Sequence, residues 1–205
     1  ETDPERGAAA CAATGKCDSG PSTAEAEAWL ATQREHGVVF VYAGEGTTEA
    51  VLAFDIVASR LEPGLSGGGV AYLHALALEQ RAAAHRDEDG YGGPPDDLAA
   101  ALWAWETVGI DGGEPYAALA QTHGAEAIEA YFRMSHSEFG GQQTHPLSRA
   151  QRASYRRFLK THPASSYAAA VRRFLAAMRK VQFKPTLAQL DTATAKATAG
   201  LGGRR

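Results

Sequence analysis

Residues 154–180 read SYRRFLKTHPASSYAAAVRRFLAAMRK and contain two amphipathic segments separated by His162-Pro163. In each segment the large apolar side chains recur at helical spacing on one arc, while Arg and Lys cover the opposite arc. The apolar arcs consist of Tyr155, Phe158 and Leu159 in the first segment and Tyr167, Val171, Phe174, Leu175 and Met178 in the second. Because His162-Pro163 predicts a tight turn, we expect an antiparallel helical hairpin over residues 148–181.

The cations of this hairpin are candidates for binding a negatively charged macromolecule. They are Arg156, Arg157, Lys160, Arg172, Arg173, Arg179 and Lys180. Alternatively, they face the protein's own acidic part or remain in water. A protein or an anionic polymer is the expected partner. Nucleic acid is not expected, because no recognised binding motif is present and no aromatic residue interrupts the basic arcs.

The same residues resemble the junction of two tetratricopeptide-type repeats. The shared pattern is Tyr-x2-Phe-Leu-x2-His-Pro-x2-Ser-Tyr-Ala-x2-Val-x2-Phe-Leu, which begins at Tyr155 and ends at Leu175. The Trp and Leu-Gly signature of such repeats is absent, and no second copy recurs at their spacing of about 34 residues. The resemblance therefore implies a packed helical hairpin, with the peptide- or protein-binding role that such repeats serve.

Charge is divided unevenly along the chain. Residues 1–138 carry 23 acidic side chains against 7 Lys and Arg, a net charge of −16. Residues 139–205 carry 13 Lys and Arg against the single acid Asp191, a net charge of +12. The formal net charge of −4 therefore conceals a strong separation of charge, with an acidic part at 22–138 followed by the basic hairpin.

The remainder of the chain predicts a mainly α-helical, compact domain of about eight helices within residues 22–200. With 205 residues, of which 44% are hydrophobic, the chain is long enough to bury a core. Residues 1–21 lack apolar periodicity and predict a mobile arm, and 201–205 predict a frayed tail. We expect a hinge at His123-Gly124 that divides one helical stretch into two short helices.

A short strand or hairpin is expected near residues 38–57. The run VVFVY at 38–42 is rich in β-branched and aromatic residues, which favours a strand. Residues 50–61 fit two alternatives. Thr47 or Thr48 could cap a helix that ends at Leu61, which the length of the segment favours, or AVLAFDIV could form a second strand.

The stretch HRDEDGYGGPPDD, residues 85–97, joins two predicted helices. Its composition is typical of a solvated, turn-rich connection. Asp96 or Asp97 is expected to cap the helix that follows. The alternative is a calcium loop, since Asp87, Asp89 and Asp96 fall at carboxylate positions around a turn glycine, although His85 occupies the first ligand position.

Candidate catalytic residues are few. Asp55 and His74 lie among apolar residues of predicted buried helices, and a buried Asp–His pair can act as a general base. The structural alternative is that each is satisfied by backbone or hydroxyl groups. No nucleophile motif of the G-x-S-x-G type is present, and no cofactor is predicted apart from calcium in the loop.

Cys11 and Cys17 are the two cysteines of the chain, and they lie in a small, polar context. Their separation and the lack of further ligands favour a local disulfide over a metal site. A disulfide favours an exported protein, periplasmic or secreted. The first residue is Glu1, which suggests a processed product, and no apolar run reaches the ~20 residues of a membrane span.

The sequence thus favours an exported, non-catalytic helical binding protein of adaptor or inhibitor type. A hydrolase acting on a cell-wall or carbohydrate polymer through a carboxylate and a His is one alternative. A calcium-binding structural module is the other. The sequence determines neither the partner nor the oligomeric state.

Overall fold

The computed structural model describes residues 23–44, 47–84, 86–87, 90–91, 93–134, 147–179 and 185–201. This part of the chain is mainly helical, as predicted, with eight α-helices and a small antiparallel hairpin. The helices are α1 Thr23–Glu35, α2 Phe54–Leu61, α3 Gly67–Ala83, α4 Pro95–Asp111, α5 Tyr116–Arg133, α6 Arg149–Thr161, α7 Ala168–Arg179 and α8 Leu187–Thr198. The strands are β1 Val38–Gly44, β2 Thr47–Leu52, β3 Arg86–Asp87 and β4 Gly90–Tyr91. None of the described helices combines the length and the apolar composition that crossing a bilayer requires.

Helix α1 ends at Glu35 and is followed by a turn that contains Gly37. Gly37 has a φ of +85°, a left-handed conformation that glycine adopts without a steric penalty. Its N–H donates to the carbonyl of Arg34 at 2.8 Å, which closes the last turn of α1 and sends the chain into β1. Trp29 of α1 then packs on Phe40 of β1, with ring centroids 5.2 Å apart.

For residues 50–61 the sequence left a helix and a second strand as alternatives, and the structure contains a part of each. The stretch up to Leu52 is the second strand of the hairpin, paired with β1 so that Val38 faces Leu52. The chain then turns into helix α2 at Phe54. Gln80 of α3 anchors this junction, since its amide donates to the carbonyl of Leu52 at 2.7 Å and accepts from the N–H of Phe54 at 3.3 Å.

One apolar core is shared by helices α3 to α8. Helix α4 packs against α3, α5 and α6, and α8 packs against α5 and α7. Leu98, Leu102 and Trp105 of α4 are buried. Trp103 of the same helix is exposed, and its ring stacks on that of His162 with centroids 4.0 Å apart. The largest fully buried side chains are Trp105, Tyr131, Tyr155, Phe132 and Phe174.

The predicted hinge at His123-Gly124 is wrong, because α5 continues through both residues. Gly124 is buried there, and the hydroxyl of Tyr167 occupies the space that a Cβ at position 124 would need. The glycine therefore allows α5 and the start of α7 to come close together, and it does not bend the chain. Sequence alone does not distinguish these two uses of glycine.

The predicted capping role of Asp96 and Asp97 is also wrong. Pro94, and neither aspartate, is the N-cap residue of α4. The helix begins at Pro95, whose fixed φ suits the first helical position. Both aspartates therefore lie inside the first turn, where their negative charge still complements the helix dipole.

Candidate functional site

The basic hairpin of α6 and α7 forms as the sequence predicts. Ser148 and Gln151 make a capping box at the start of α6, with the Ser148 hydroxyl accepting from the Gln151 N–H at 3.1 Å. The apolar residues Tyr155 and Phe158 of α6 and Phe174 of α7 enter the core. The cationic arcs of both helices are therefore left at the surface.

Two of the predicted binding cations contact other residues of the protein itself. Arg157 of α6 forms an ion pair with Asp96 of α4 at 2.8 Å. Arg173 of α7 donates to the carbonyls of Ala197 and Ala199, the latter at 3.2 Å, and so caps the C-terminal end of α8. These contacts match the alternative in which basic residues face the protein itself.

Four of the predicted cations have no side-chain partner among the described residues. Arg156, Lys160, Arg172 and Arg179 are exposed, and none forms a hydrogen bond or ion pair with another residue of the described ranges. Arg156 and Lys160 are four residues apart on α6, and Arg172 and Arg179 are seven apart on α7, so each pair shares a helix face. We call these four residues the free basic face. Lys180 lies outside the described residues.

The residues between these cations are small. Ala153 on α6 and Ala169 and Ala176 on α7 lie on the same outward arcs, and all three are exposed. Short side chains there leave the cationic head groups accessible from solvent.

The structure brings Asp55 and His74 to the same groove but not into a buried pair. The groove has a volume of about 520 Å³, and Val39 and Leu78 are among its lining residues. Asp55 is 44% exposed and forms an ion pair with Arg34. His74 is exposed although its helix α3 contributes to the core, so the expectation of a buried Asp–His pair is wrong.

The calcium alternative is only partly within the described residues. Arg86 pairs with Tyr91 and Asp87 with Gly90 in the short ladder of β3 and β4. Asp89 and the side chain of Asp87 lie outside the described residues.

Cys11 and Cys17 also lie outside the described residues, so the disulfide between them stays a prediction.

Asp96, the third calcium candidate, is in the described part of the chain. It lies in the first turn of α4, and its carboxylate is already engaged by Arg157.

A cluster that the sequence did not reveal lies where α3, α4 and α5 meet. Glu79 of α3 accepts a hydrogen bond from the indole N–H of Trp105 at 2.9 Å, and the same carboxylate oxygen lies 3.1 Å from Nδ1 of His123. His123 stacks on Trp105 with ring centroids 4.2 Å apart and planes inclined by 13°. Ligand atoms of Glu79, His123 and Glu126 lie within 4.8 Å of one another.

The surroundings of Glu79 raise the pKa of its carboxyl group. Burial raises the pKa of its carboxyl above the ordinary value, and the charge of Glu126 adds to this increase, while His123 and the Trp105 N–H oppose it. A carboxyl group in such surroundings is a candidate for binding a cation or a proton. The sequence signal was present but weak, namely His123-x2-Glu126 on one helix face.

A buried carboxylate, that of Glu106, has a structural role. Glu106 of α4 accepts hydrogen bonds from the Ser165 hydroxyl and the Ser166 N–H, just before α7 begins. The Ser165 hydroxyl in turn accepts from the Tyr167 N–H at 3.1 Å. Glu106 therefore satisfies donors at the N-terminal end of α7 that would otherwise be buried without partners.

Comparisons with protein-family models, with curated proteins and with solved structures found no match for this chain.

Proposed function

We propose that the protein is a non-catalytic helical binding module, of adaptor or inhibitor type, that engages an acidic protein surface through the free basic face. The proposal includes export to the periplasm or the exterior, which rests on the cysteine pair of the N-terminal region.

The observation that carries the proposal is the contrast between neighbouring cations. Arg157 and Arg173 contact the protein itself, whereas the adjacent residues Arg156 and Arg172 do not engage any described residue. Like charges four residues apart on a helix, such as Arg156 and Lys160, cost about 0.2–0.5 kcal/mol of helix stability. Lys160 and Arg179 lie in the last turns of α6 and α7, where a cation suits the helix dipole, but this does not require the exposed cations Arg156 and Arg172. Recognition of a negatively charged partner would explain why all four cations are exposed without a side-chain partner in the described residues.

The chemistry of the face favours an acidic protein. The four cations project from two packed helices at fixed spacing, which suits carboxylates presented on another folded surface. Single-stranded nucleic acid is usually held by aromatic stacking beside the cations, and alanines occupy those positions here.

The residues that the sequence suggested for the two alternative functions do not form the expected sites among the described residues. The hydrolase would use Asp55, which is engaged by Arg34, and His74, which is exposed. The calcium module would use Asp96, which is engaged by Arg157.

The test compares three versions of the full chain in binding to a fluorescein-labelled 20-residue poly-glutamate peptide. The first is the unmodified protein. The second neutralises the free basic face through Arg156→Gln, Lys160→Gln, Arg172→Gln and Arg179→Gln. The third has the same net charge as the second but adds carboxylates at exposed positions of α1 and α5 through Ala24→Glu, Ala31→Glu, Ala118→Glu and Gln121→Glu.

Fluorescence anisotropy at low salt should give similar affinities for the unmodified protein and the third version. The second version should bind at least about tenfold more weakly, because each lost charge contact removes part of the attraction. Equal affinity of all three versions would contradict the proposal. Stronger binding to a duplex DNA of equal charge would contradict the choice of an acidic protein.

A further inference from the structure

We propose that Glu79, His123 and Glu126 form a binding site for one divalent first-row transition-metal ion of the zinc type. The site is separate from the free basic face, and it would be a second binding function of the chain. Its ligands come from two helices that the core packs together, α3 and α5.

The distances already approach those of a coordination sphere. Zinc binds nitrogen and carboxylate oxygen at about 2.0–2.2 Å, which places neighbouring ligand atoms of a tetrahedral site about 3.3–3.5 Å apart. The Glu79 oxygen and His123 Nδ1 are 3.1 Å apart. The Glu126 ligand atom lies within 4.8 Å of both. Glu126 is exposed, so rotation of its side chain can bring the third ligand in.

The two inner ligands are held in place by neighbours that do not bind the metal. The Trp105 N–H fixes the Glu79 carboxylate at 2.9 Å, and the Trp105 ring supports the imidazole of His123 at 4.2 Å. The Tyr72 ring lies edge-on to both aromatic rings. Supporting contacts of this kind orient ligands and raise metal affinity.

The ligand set selects the class of metal. One imidazole nitrogen and two carboxylates suit zinc and its first-row neighbours, whereas calcium and magnesium favour oxygen ligands alone. With a neutral imidazole the three side chains carry two negative charges, which a divalent ion would balance. The side chains of Glu79 and His123 are 35% and 25% exposed, so solvent reaches the cluster and can supply a fourth ligand.

Isothermal titration with zinc chloride tests the site in the untagged full chain. Every version carries Cys11→Ser and Cys17→Ser, because thiolates outside the described residues also bind zinc. Glu126→Gln removes a ligand from an exposed position, so it should leave the fold intact in circular dichroism. Glu129→Gln removes a carboxylate one turn further along α5 and is the matched control, and His74→Gln removes an exposed imidazole elsewhere.

The expected result is one equivalent of zinc bound, with affinity reduced at least about tenfold by Glu126→Gln and changed less than about twofold by both controls. Binding of cobalt(II) should quench the fluorescence of Trp105 in a version that carries Trp29→Phe and Trp103→Phe. Absence of zinc binding at millimolar concentration would overturn the proposal, as would equal affinity of Glu126→Gln and Glu129→Gln. Stronger binding of calcium or magnesium would overturn the assignment of metal class.

Discussion

The hydroxyl of Tyr167 lies where a Cβ atom at position 124 would be, so Gly124 is required for α5 to pack against the start of α7. Gly124→Ala should therefore lower the free energy of unfolding by about 1–3 kcal/mol through overpacking. This loss of stability should be larger than the gain of about 1 kcal/mol that replacement of glycine by alanine normally brings in a helix interior. Urea unfolding measures the difference.

Gly109 provides the matched control, because it lies in α4 and a Cβ there would meet only Ala120 at an ordinary 3.7 Å. Gly109→Ala should be neutral or stabilise by up to about 1 kcal/mol. Removing the hydroxyl through Tyr167→Phe should restore part of the stability lost in Gly124→Ala. If both glycine substitutions have the same effect, close packing is not the reason for Gly124.

Glu106 should stabilise the protein through the start of α7. Glu106→Ala leaves the Ser165 hydroxyl and the Ser166 N–H without their acceptor, so we expect a loss of about 1–3 kcal/mol in the free energy of unfolding. Glu106→Gln retains one acceptor oxygen and should lose less. A double-mutant cycle with Ser165→Ala should show coupling, whereas additive losses would mean that the two side chains do not act together.

Arg173 should stabilise α8 locally. Its guanidinium donates to the carbonyls of Ala197 and Ala199 at the C-terminal end of that helix, where a cation is also favoured by the helix dipole. Arg173→Ala should lower the local stability of α8 by about 1 kcal/mol and accelerate amide hydrogen exchange over residues 187–198. Arg172→Ala is the neighbouring control and should leave this exchange unchanged. If residues 187–198 exchange at the same rate in both variants, Arg173 does not cap α8.

Stability should decrease in mild acid partly because of His162. Burial lowers the pKa of His162 below its ordinary value, an effect that Glu106 opposes. The folded state therefore binds a proton less readily than the unfolded state. The contribution is complete above pH ~6.5 and is lost as pH falls through the lowered folded-state pKa.

The check on His162 is the difference in the free energy of unfolding between pH 7.5 and pH 5.5. This difference should be smaller in His162→Gln than in the unmodified protein. A larger pH dependence in His162→Gln would show that the sign is wrong.

Features of the fold that depend on neighbouring residues can be predicted from the sequence, and features that depend on residues distant along the chain cannot. The hairpin of α6 and α7 is predictable because apolar residues such as Tyr155 and Phe174 recur at helical spacing around His162-Pro163. The end of α1 is predictable because His36-Gly37 is a local stop signal. The role of Gly124 cannot be predicted in this way, since it depends on Tyr167, which lies in the turn before α7 and is distant along the chain.

The candidate sites show the same division. Cationic arcs can be read from helical spacing, but the sequence does not show that Arg157 and Arg173 have internal partners, because Asp96 and Ala197 are distant along the chain. Glu79 and His123 are 44 residues apart, and only packing of α3 against α5 brings them together. Sequence reasoning instead grouped Asp55 with His74, since both have apolar neighbours, and burial does not follow from that alone.

The central claim is that the free basic face binds an acidic protein, and affinity capture from the envelope fraction of the native host tests it most directly. The bait proteins are the unmodified chain, the version with four glutamines at Arg156, Lys160, Arg172 and Arg179, and the charge-matched version with carboxylates on α1 and α5. The account predicts that one protein of net negative charge, identified by mass spectrometry, is retained by the first and third baits, is released by salt, and is absent from the second. Equal recovery on the second bait, or recovery of no acidic protein by any bait, would contradict it.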